Sequence, residues 1–181
     1  NREIHDSSFT WEIIIVDDCS NDKTFDIAIG YAKSQCNEIR IIQNPQIMGI
    51  GSSISYGGLH SRGKYLLILS PDSYAKIDEL SELERKMRQL QAINSESIVF
   101  GSRSHLIQNS EFGQIFSQFD EFNSPLFKIF MSIIGIPNIN DVQCCFKLFS
   151  REAARWIFPN QHINQVCYSP ELLYIAKEKN M

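Results

Sequence analysis

The stretch 11–24, WEIIIVDDCSNDKT, decides the fold of this chain. Residues 11–16 form an apolar run closed by Asp17 and Asp18, which is typical of a β-strand buried on both faces of a sheet. Polar residues at 20–22 then offer N-caps for a helix. The apolar residues of that predicted helix recur at the spacing of one helix face. They are Phe25, Ala28, Ile29 and Ala32.

Predicted strands and helices continue to alternate over the first hundred residues. Short apolar runs predict three more strands, at 39–42, 64–69 and 97–101. The glycine-rich stretch 48–58 is expected to open a second helix, and the leucine and methionine spacing over 80–90 predicts a third. This order predicts an α/β fold, with a mostly parallel central sheet flanked by helices.

Polar side chains follow three of the predicted strands. Asp17 and Asp18 follow the first strand, and Asp72 follows the third. Ser102 and Arg103 follow the fourth. Ligands of parallel α/β sheets bind beyond the carboxyl ends of the strands, so we expect these side chains to line one crevice.

The bulk composition is that of one globular domain, 1–181. With 43% hydrophobic and 21% charged residues, the chain has enough apolar material for a core. A formal net charge of -4 argues against a broad surface for nucleic acid. The five cysteines include no CxxC pair, so we expect neither a disulfide framework nor a zinc site, and free thiols suit a reducing compartment.

The segment 126–136, LFKIFMSIIGI, predicts an unusually apolar helix. Lys128, Ser132 and Gly135 share one narrow stripe, and nearly all the other residues are apolar. The segment is too short to span a bilayer. Two interpretations stay open: a helix buried in the core, or a helix that lies in a membrane interface or lines a lipid groove.

Two further segments are DVQCCFKLFSREAA (141–154) and PELLYIAKE (170–178). Together with the strand-end motifs of the first hundred residues, they resemble the dolichyl-phosphate β-glucosyltransferase family, within the family-two glycosyltransferases of the Rossmann-like A-type fold. These two segments are the more specific to that family. The family's opening strand would precede Asn1 and its C-terminal extension would follow Met181, so we expect the chain to be a fragment. The remaining matching stretches, in family order, are 11–24, 49–58, 61–69 and 101–106.

The resemblance implies inverting transfer of glucose from UDP-glucose to dolichyl phosphate, which gives dolichyl β-glucosyl phosphate for protein N-glycosylation. The implied partners are UDP-glucose, dolichyl phosphate and a membrane interface, with no nucleic acid. The implied location is the cytosolic face of the endoplasmic reticulum membrane. An acceptor phosphate has no proton to remove at neutral pH, so catalysis would rest on in-line positioning and on neutralising the leaving diphosphate.

By resemblance, five residues would bind the nucleotide-sugar. Asp17 and Asp18 would accept hydrogen bonds from the uracil N–H or the ribose hydroxyls, although Asp18 would also suit a helix cap. Gly49 and Gly51 permit close approach of the backbone to a ligand, although glycines alone also suit a simple turn. Ser70 ends the third predicted strand and would line the same pocket.

The resemblance also implies a divalent metal, Mg²⁺ or Mn²⁺, held by Asp72, the last acid of the family's Asp-x-Asp motif. The ion would bridge the diphosphate and stabilise the charge on the departing UDP. Ser70 replaces the first acid of that motif. Because a serine hydroxyl is a neutral and weak ligand, we expect metal affinity to fall.

The resemblance implies five further catalytic residues. Arg103 would grip the lipid phosphate, because a guanidinium binds phosphate oxygens in pairs. Lys147 would add a second positive charge, and Asp141 and Gln143 belong to the acceptor-side motif. Glu171 would face the site from a helix start, although it also suits the positive end of that helix.

Several positions depart from the family pattern, and two hypotheses follow from these departures. Besides Ser70, isoleucine replaces a lysine at Ile50, serine replaces an arginine at Ser55, and serine replaces an aspartate at Ser169. The chain would then be an enzyme with rearranged ligands, or an impaired relative that only binds a nucleotide-sugar or a partner. A polyprenyl-phosphate mannosyltransferase is the other enzymatic alternative. A phosphorelay receiver domain also opens with a run like IIIVDD, but Ser70 stands where that fold needs its phosphoacceptor aspartate.

Overall fold

The computed structural model describes residues 10–35, 38–70, 77–102, 125–136 and 141–181. Within these ranges the chain forms five strands, six α-helices and two short 3-10 turns. In chain order the strands and helices are β1 (Ile13–Asp17), α1 (Thr24–Gln35), β2 (Ile39–Gln43), α2 (Ile50–His60), β3 (Tyr65–Ile68), α3 (Leu80–Gln91), β4 (Ile98–Phe100), α4 (Pro125–Ile133), β5 (Lys147–Ser150), α5 (Arg151–Ile157) and α6 (Tyr168–Glu178). The 3-10 turns are Ile77–Glu79 and Phe158–Asn160.

The described strands form two hydrogen-bonded sheets. β1 and β2 pair in parallel, with Ile13 opposite Ile39. β5 lies between β3 and β4 and runs antiparallel to both, so β3 and β4 point in the same direction. The predicted α/β order is therefore confirmed, and the four predicted strands are present. β5 is a further strand that the sequence analysis did not predict.

β5 is the centre of the hydrophobic core. All four of its residues are buried, and alternate side chains point to opposite faces of the sheet. Leu148 packs with Leu83 and Met87 of α3. Phe149 packs on the other face with α5 and α6, where it contacts the cluster that includes Leu172. One four-residue strand therefore joins the helix layers on both sides of the sheet.

The prediction that β1 is buried on both faces is wrong. Ile13 and Ile15 are 45% and 39% exposed, whereas Asp17 at the end of the strand is 5% exposed. α2 packs on one face of β1, but α1 packs mainly over β2. The face that carries Ile13 and Ile15 is therefore only partly covered.

The apolar segment predicted as a helix at 126–136 contributes to α4 (Pro125–Ile133), and this helix is only half buried. Met131 and Ile136 are 4% and 6% exposed and pack with Leu173 of α6. Phe130 and Ile133, in contrast, are 51% and 77% exposed. The interpretation of a fully buried helix is therefore wrong. Among the described residues, none of the helices has the length and apolar character needed to cross a membrane.

α2 packs closely against the turn that follows α5. A Cβ atom on Gly58 would lie 2.5 Å from the Phe158 ring, and the Ser55 hydroxyl donates to the Phe158 carbonyl at 3.1 Å. Gly30 in α1, in contrast, has no atom within 4 Å of an added Cβ.

We expect Gly58→Ala to lower the free energy of unfolding by about 1–3 kcal/mol, because the buried Phe158 ring has to move. Gly30→Ala is the matched control, and we expect it to raise the free energy of unfolding by about 0.5–1 kcal/mol through helix propensity. Urea unfolding followed by circular dichroism measures both. Equal effects of the two substitutions would contradict the packing of α2 on the turn.

Candidate functional site

Asp17 closes β1 and stabilises the turn after it. Its carboxylate accepts hydrogen bonds from the Ser20 backbone N–H at 3.1 Å and from the Gln43 side chain at 3.0 Å. Cys19, inside this turn, has a left-handed backbone conformation with φ 59°, which costs about 1–2 kcal/mol for a residue with a Cβ. Burial by itself raises the pKa of the Asp17 carboxyl, but the hydrogen bonds from Ser20 and Gln43 outweigh burial and lower that pKa.

Asp18 connects the end of β1 to the start of α2. One carboxylate oxygen accepts from the Asn44 side chain at 2.7 Å and from the Met48 N–H at 2.9 Å. The other accepts from the Gly49 N–H at 2.8 Å. Burial acts to raise the pKa of Asp18, and the hydrogen bonds from Asn44, Met48 and Gly49 together lower it below its usual value. Asp18 is therefore an ionised group that holds the glycine-rich turn, and it does not cap α1.

The two predicted glycines lie where α2 meets the segment before α6. Gly49 has φ +98°, and its Cβ would lie 2.4 Å from the Asn164 carbonyl oxygen. A Cβ on Gly51 would lie 2.3 Å from the Ile163 carbonyl oxygen. The Gly51 N–H donates to the Asn164 carbonyl at 2.8 Å. Both glycines therefore allow a close backbone contact, as predicted. The group in contact is a backbone carbonyl of the same chain, where the prediction had a ligand.

Glu171 holds the segment that contacts these glycines. Its two carboxylate oxygens accept the backbone N–H groups of His162 at 2.8 Å and Ile163 at 2.7 Å. The Glu171 side chain is 14% exposed. The predicted residues Asp18, Gly49, Gly51 and Glu171 therefore belong to one continuous hydrogen-bonded region, which we call the β1 cluster together with Asp17.

A second group of predicted residues lies where β3 and β4 end and β5 begins. The strand register places Lys147 opposite both Ile68 and Phe100. Lys147 is 1% exposed, and its ammonium group donates to the carbonyls of Val142, at 3.1 Å, and Cys144. A lysine charge at this depth is stabilised by the carbonyl dipoles around it.

The loop before β5 supplies the other residues of this group. Asp141 is 4% exposed, and the Gln143 side chain donates to the Val166 carbonyl at 3.2 Å. Ser169, which is fully buried, donates to the Val142 carbonyl at 2.5 Å. We call Asp141, Gln143, Lys147 and Ser169 the β5 cluster.

Two residues that the sequence analysis did not single out lie next to members of the clusters. Asn44 follows β2 and bridges Asp18 to the Ser53 hydroxyl at 2.9 Å. Tyr168 is 1% exposed, and its hydroxyl lies 3.9 Å from the Cys145 sulfur. Burial, together with the Cys145 thiol, raises the pKa of Tyr168 above its usual value. Asn44 lies just after a predicted strand, so the sequence could have identified it as a polar residue at a strand end.

Three predicted residues concern the metal and the lipid phosphate. Ser70 follows β3 and is partly buried. Asp72 and Arg103 lie outside the described residues. Across the described ranges, no group of three or more His, Cys, Asp or Glu side chains is placed to hold a metal ion. The described residues therefore do not form a metal site by themselves.

Comparison with known proteins identifies the class. The sequence model described as glycosyl transferase family 2 matches residues 3–158. Because this match covers most of the chain, the chain belongs to glycosyl transferase family 2. The predicted resemblance and the predicted fold class are thereby confirmed.

Curated relatives match almost all of the chain. A dolichyl-phosphate beta-glucosyltransferase of Trichomonas vaginalis is 44% identical over 99% of this chain and 52% of its own length. Proteins of the same name from Dictyostelium discoideum and Homo sapiens are 37% and 35% identical, each over 97% of this chain and 54% of their own length. The chain therefore spans about half the length of the curated relatives it matches.

We expect Asp18→Asn to lower the free energy of unfolding by about 1–3 kcal/mol at pH 7, because the backbone N–H groups of the turn lose an ionised acceptor. Folding lowers the pKa of Asp18, so this contribution is present above its ordinary value of about 3.9 and is lost as the pH falls through the folded-state value. The difference from wild type should therefore shrink in acid.

The measurement is urea unfolding from pH 7 down to pH 3. Asp78→Asn is the control, because Asp78 is exposed and its carboxylate accepts no hydrogen bond in the described part of the chain. We expect it to change stability by less than about 0.5 kcal/mol. An Asp18→Asn effect that is absent, or that does not vary with pH, would show that the turn does not depend on an ionised Asp18.

Proposed function

We propose that this chain is the core of an enzyme that transfers glucose, with inversion, from UDP-glucose to dolichyl phosphate. The observation that carries the proposal is the similarity of the whole chain to relatives named dolichyl-phosphate beta-glucosyltransferase, at 35–44% identity. The product would be dolichyl β-glucosyl phosphate for N-glycosylation, made at the cytosolic face of the endoplasmic reticulum membrane.

The β1 cluster is the proposed site for the nucleotide. Asp17 ends β1 and Asp18 follows it, and the carboxyl end of a parallel strand is where α/β folds bind their ligands. Both carboxyl groups have lowered pKa values, so both are ionised at neutral pH and suit the N–H and O–H donors of uridine. Asp18 already accepts three hydrogen bonds, from the Asn44 side chain and from the backbone N–H groups of Met48 and Gly49, so Asp17 is the better candidate for direct contact.

The β5 cluster, with Arg103, is the proposed site for the acceptor phosphate. The positive charge of Lys147 lies under the loop that carries Asp141 and Gln143, at the edge where β3 and β4 end. Because Lys147 is 1% exposed, we propose that it acts through the carbonyls of this loop and does not itself contact the phosphate. Arg103 would supply the direct contact.

The reaction needs one displacement at the anomeric carbon. An oxygen of the lipid phosphate attacks this carbon as the bond to the diphosphate breaks, and UDP leaves from the opposite face. The acceptor oxygen is already ionised, so no residue has to remove a proton from it. The protein then has to align the two phosphates and to balance their charge.

Asp72 is the residue that would bind a divalent metal in this proposal. Mg²⁺ or Mn²⁺ bound there would neutralise charge on the leaving diphosphate. In the sequence, Ser70 stands in place of the first acid of the motif, so Asp72 is the one acid of that motif left in this chain. We therefore assign no step to the metal.

Transfer of labelled glucose from UDP-glucose to dolichyl phosphate tests this function in membranes that contain the full-length protein. We expect wild type to form the β-linked lipid product, and Arg103→Gln to lower the rate by about 10²–10³-fold through loss of charge stabilisation. Arg85→Gln is the control, because Arg85 is exposed on α3 and pairs with Glu82. We expect it to keep the wild-type rate.

The other outcomes separate the alternatives. Transfer from GDP-mannose but not from UDP-glucose would identify a mannosyltransferase. Transfer by Ser70→Asp alone, in the presence of Mn²⁺, would identify an impaired relative with a damaged metal site. UDP-glucose binding that is unchanged by chelation would exclude the metal from donor binding.

A further inference from the structure

A cavity of about 220 Å³ lies at the opposite end of the β3–β5–β4 sheet from the β5 cluster. Gly63 and Leu66 line it together with Arg151 and Arg155 of α5. Tyr65 pairs with Ser150 in the strand register, so this is the edge where β3 begins and β5 ends. None of the residues that line the cavity belongs to the β1 cluster or the β5 cluster.

The two arginines of this cavity are one helical turn apart. Residues four positions apart on a helix lie on the same face, so both guanidinium groups lie along one wall. The backbone N–H of Arg151 donates to the backbone carbonyl of Lys64 at 3.0 Å. This hydrogen bond fixes the start of α5 to the residue before β3. Two guanidinium groups at this spacing offer two forks of N–H donors to one ligand.

Neither guanidinium group has an ion pair or a hydrogen bond among the described residues. Of the nearby acids, Glu12 is already engaged by Arg40 at 3.4 Å. Glu152 follows Arg151 in the chain but is exposed and pairs with neither arginine in the described part. The charge of this wall is therefore not balanced by the described protein, although the whole chain carries a net charge of -4.

The rest of the cavity favours an anion of phosphate type. Leu66, Ala154 and Pro159 add apolar surface to its lining, and an apolar surface strengthens charge-assisted hydrogen bonds. Arg62 and Lys64, on either side of the lining glycine, are exposed and add positive charge. The volume is several times the 30 Å³ or so that one water molecule occupies in the liquid, so a phosphate group has room.

We propose that this cavity is a second anion site, which binds a phosphate group between Arg151 and Arg155. A phosphate has enough oxygens to accept from both forks at once, whereas a carboxylate has only two. The same chemistry is present in a free phosphate compound and in the headgroup of an anionic phospholipid. The site goes beyond the proposed glucose transfer, since it lies at the opposite edge of the sheet.

Titration of the full-length protein with inorganic phosphate, at constant ionic strength, tests the proposal. We expect saturable binding by wild type, at least about tenfold weaker binding by Arg151→Gln/Arg155→Gln, and wild-type affinity in the control Arg85→Gln/Arg88→Gln. The control removes the same charge from an exposed helix face. Arg155→Gln alone changes an exposed residue, so weaker phosphate binding by this variant would not result from unfolding.

A second arm identifies the source of the phosphate. Flotation with phosphatidylcholine vesicles, with and without phosphatidic acid, compares the same variants. Phosphatidic-acid binding that depends on both arginines identifies a lipid headgroup, and phosphate binding without vesicle binding identifies a soluble ligand. The proposal is overturned if phosphate binding is not saturable, if the two double variants weaken it equally, or if acetate binds as tightly as phosphate.

Discussion

The hydrogen bonds of the Asp18 carboxylate are the interaction on which the proposed donor site depends. They join three segments that are far apart in sequence: the end of β1, the residue after β2 and the turn before α2. The backbone N–H groups of Met48 and Gly49 face an ionised acceptor, and each such bond is worth about 1.5–3 kcal/mol. With that turn fixed, α2 can pack its glycines against the Ile163–Asn164 backbone.

A second carboxylate that accepts backbone N–H groups holds the segment against which the α2 glycines pack. Glu171 accepts the N–H groups of His162 and Ile163, and so holds the segment whose carbonyls meet Gly51. The Val142 carbonyl, in turn, accepts from both Ser169 and Lys147. The start of α6 therefore links the two clusters, which suits a transferase that has to align a donor with an acceptor.

Sequence patterns predicted the parts of this structure that depend on residues close together in the chain. The apolar run before Asp17 and the glycines at the start of α2 could both be read directly. β5 could not, because KLFS is too short to show a period and its position between β3 and β4 depends on pairing with residues 47 to 85 positions away in the chain. Gly51 contacts the backbone of Asn164. Because any residue has the same backbone carbonyl, the sequence does not show which residue makes this contact. The burial of Lys147 was missed for the same reason as β5.

Backbone hydrogen exchange of the full-length protein, with and without UDP, tests most directly whether the nucleotide binds at the β1 cluster. We expect UDP to slow exchange over residues 44–53 and 161–165, and Asp18→Asn to weaken that protection. Protection confined to other parts of the chain, or protection that Asp18→Asn leaves unchanged, would contradict a donor site built on this carboxylate.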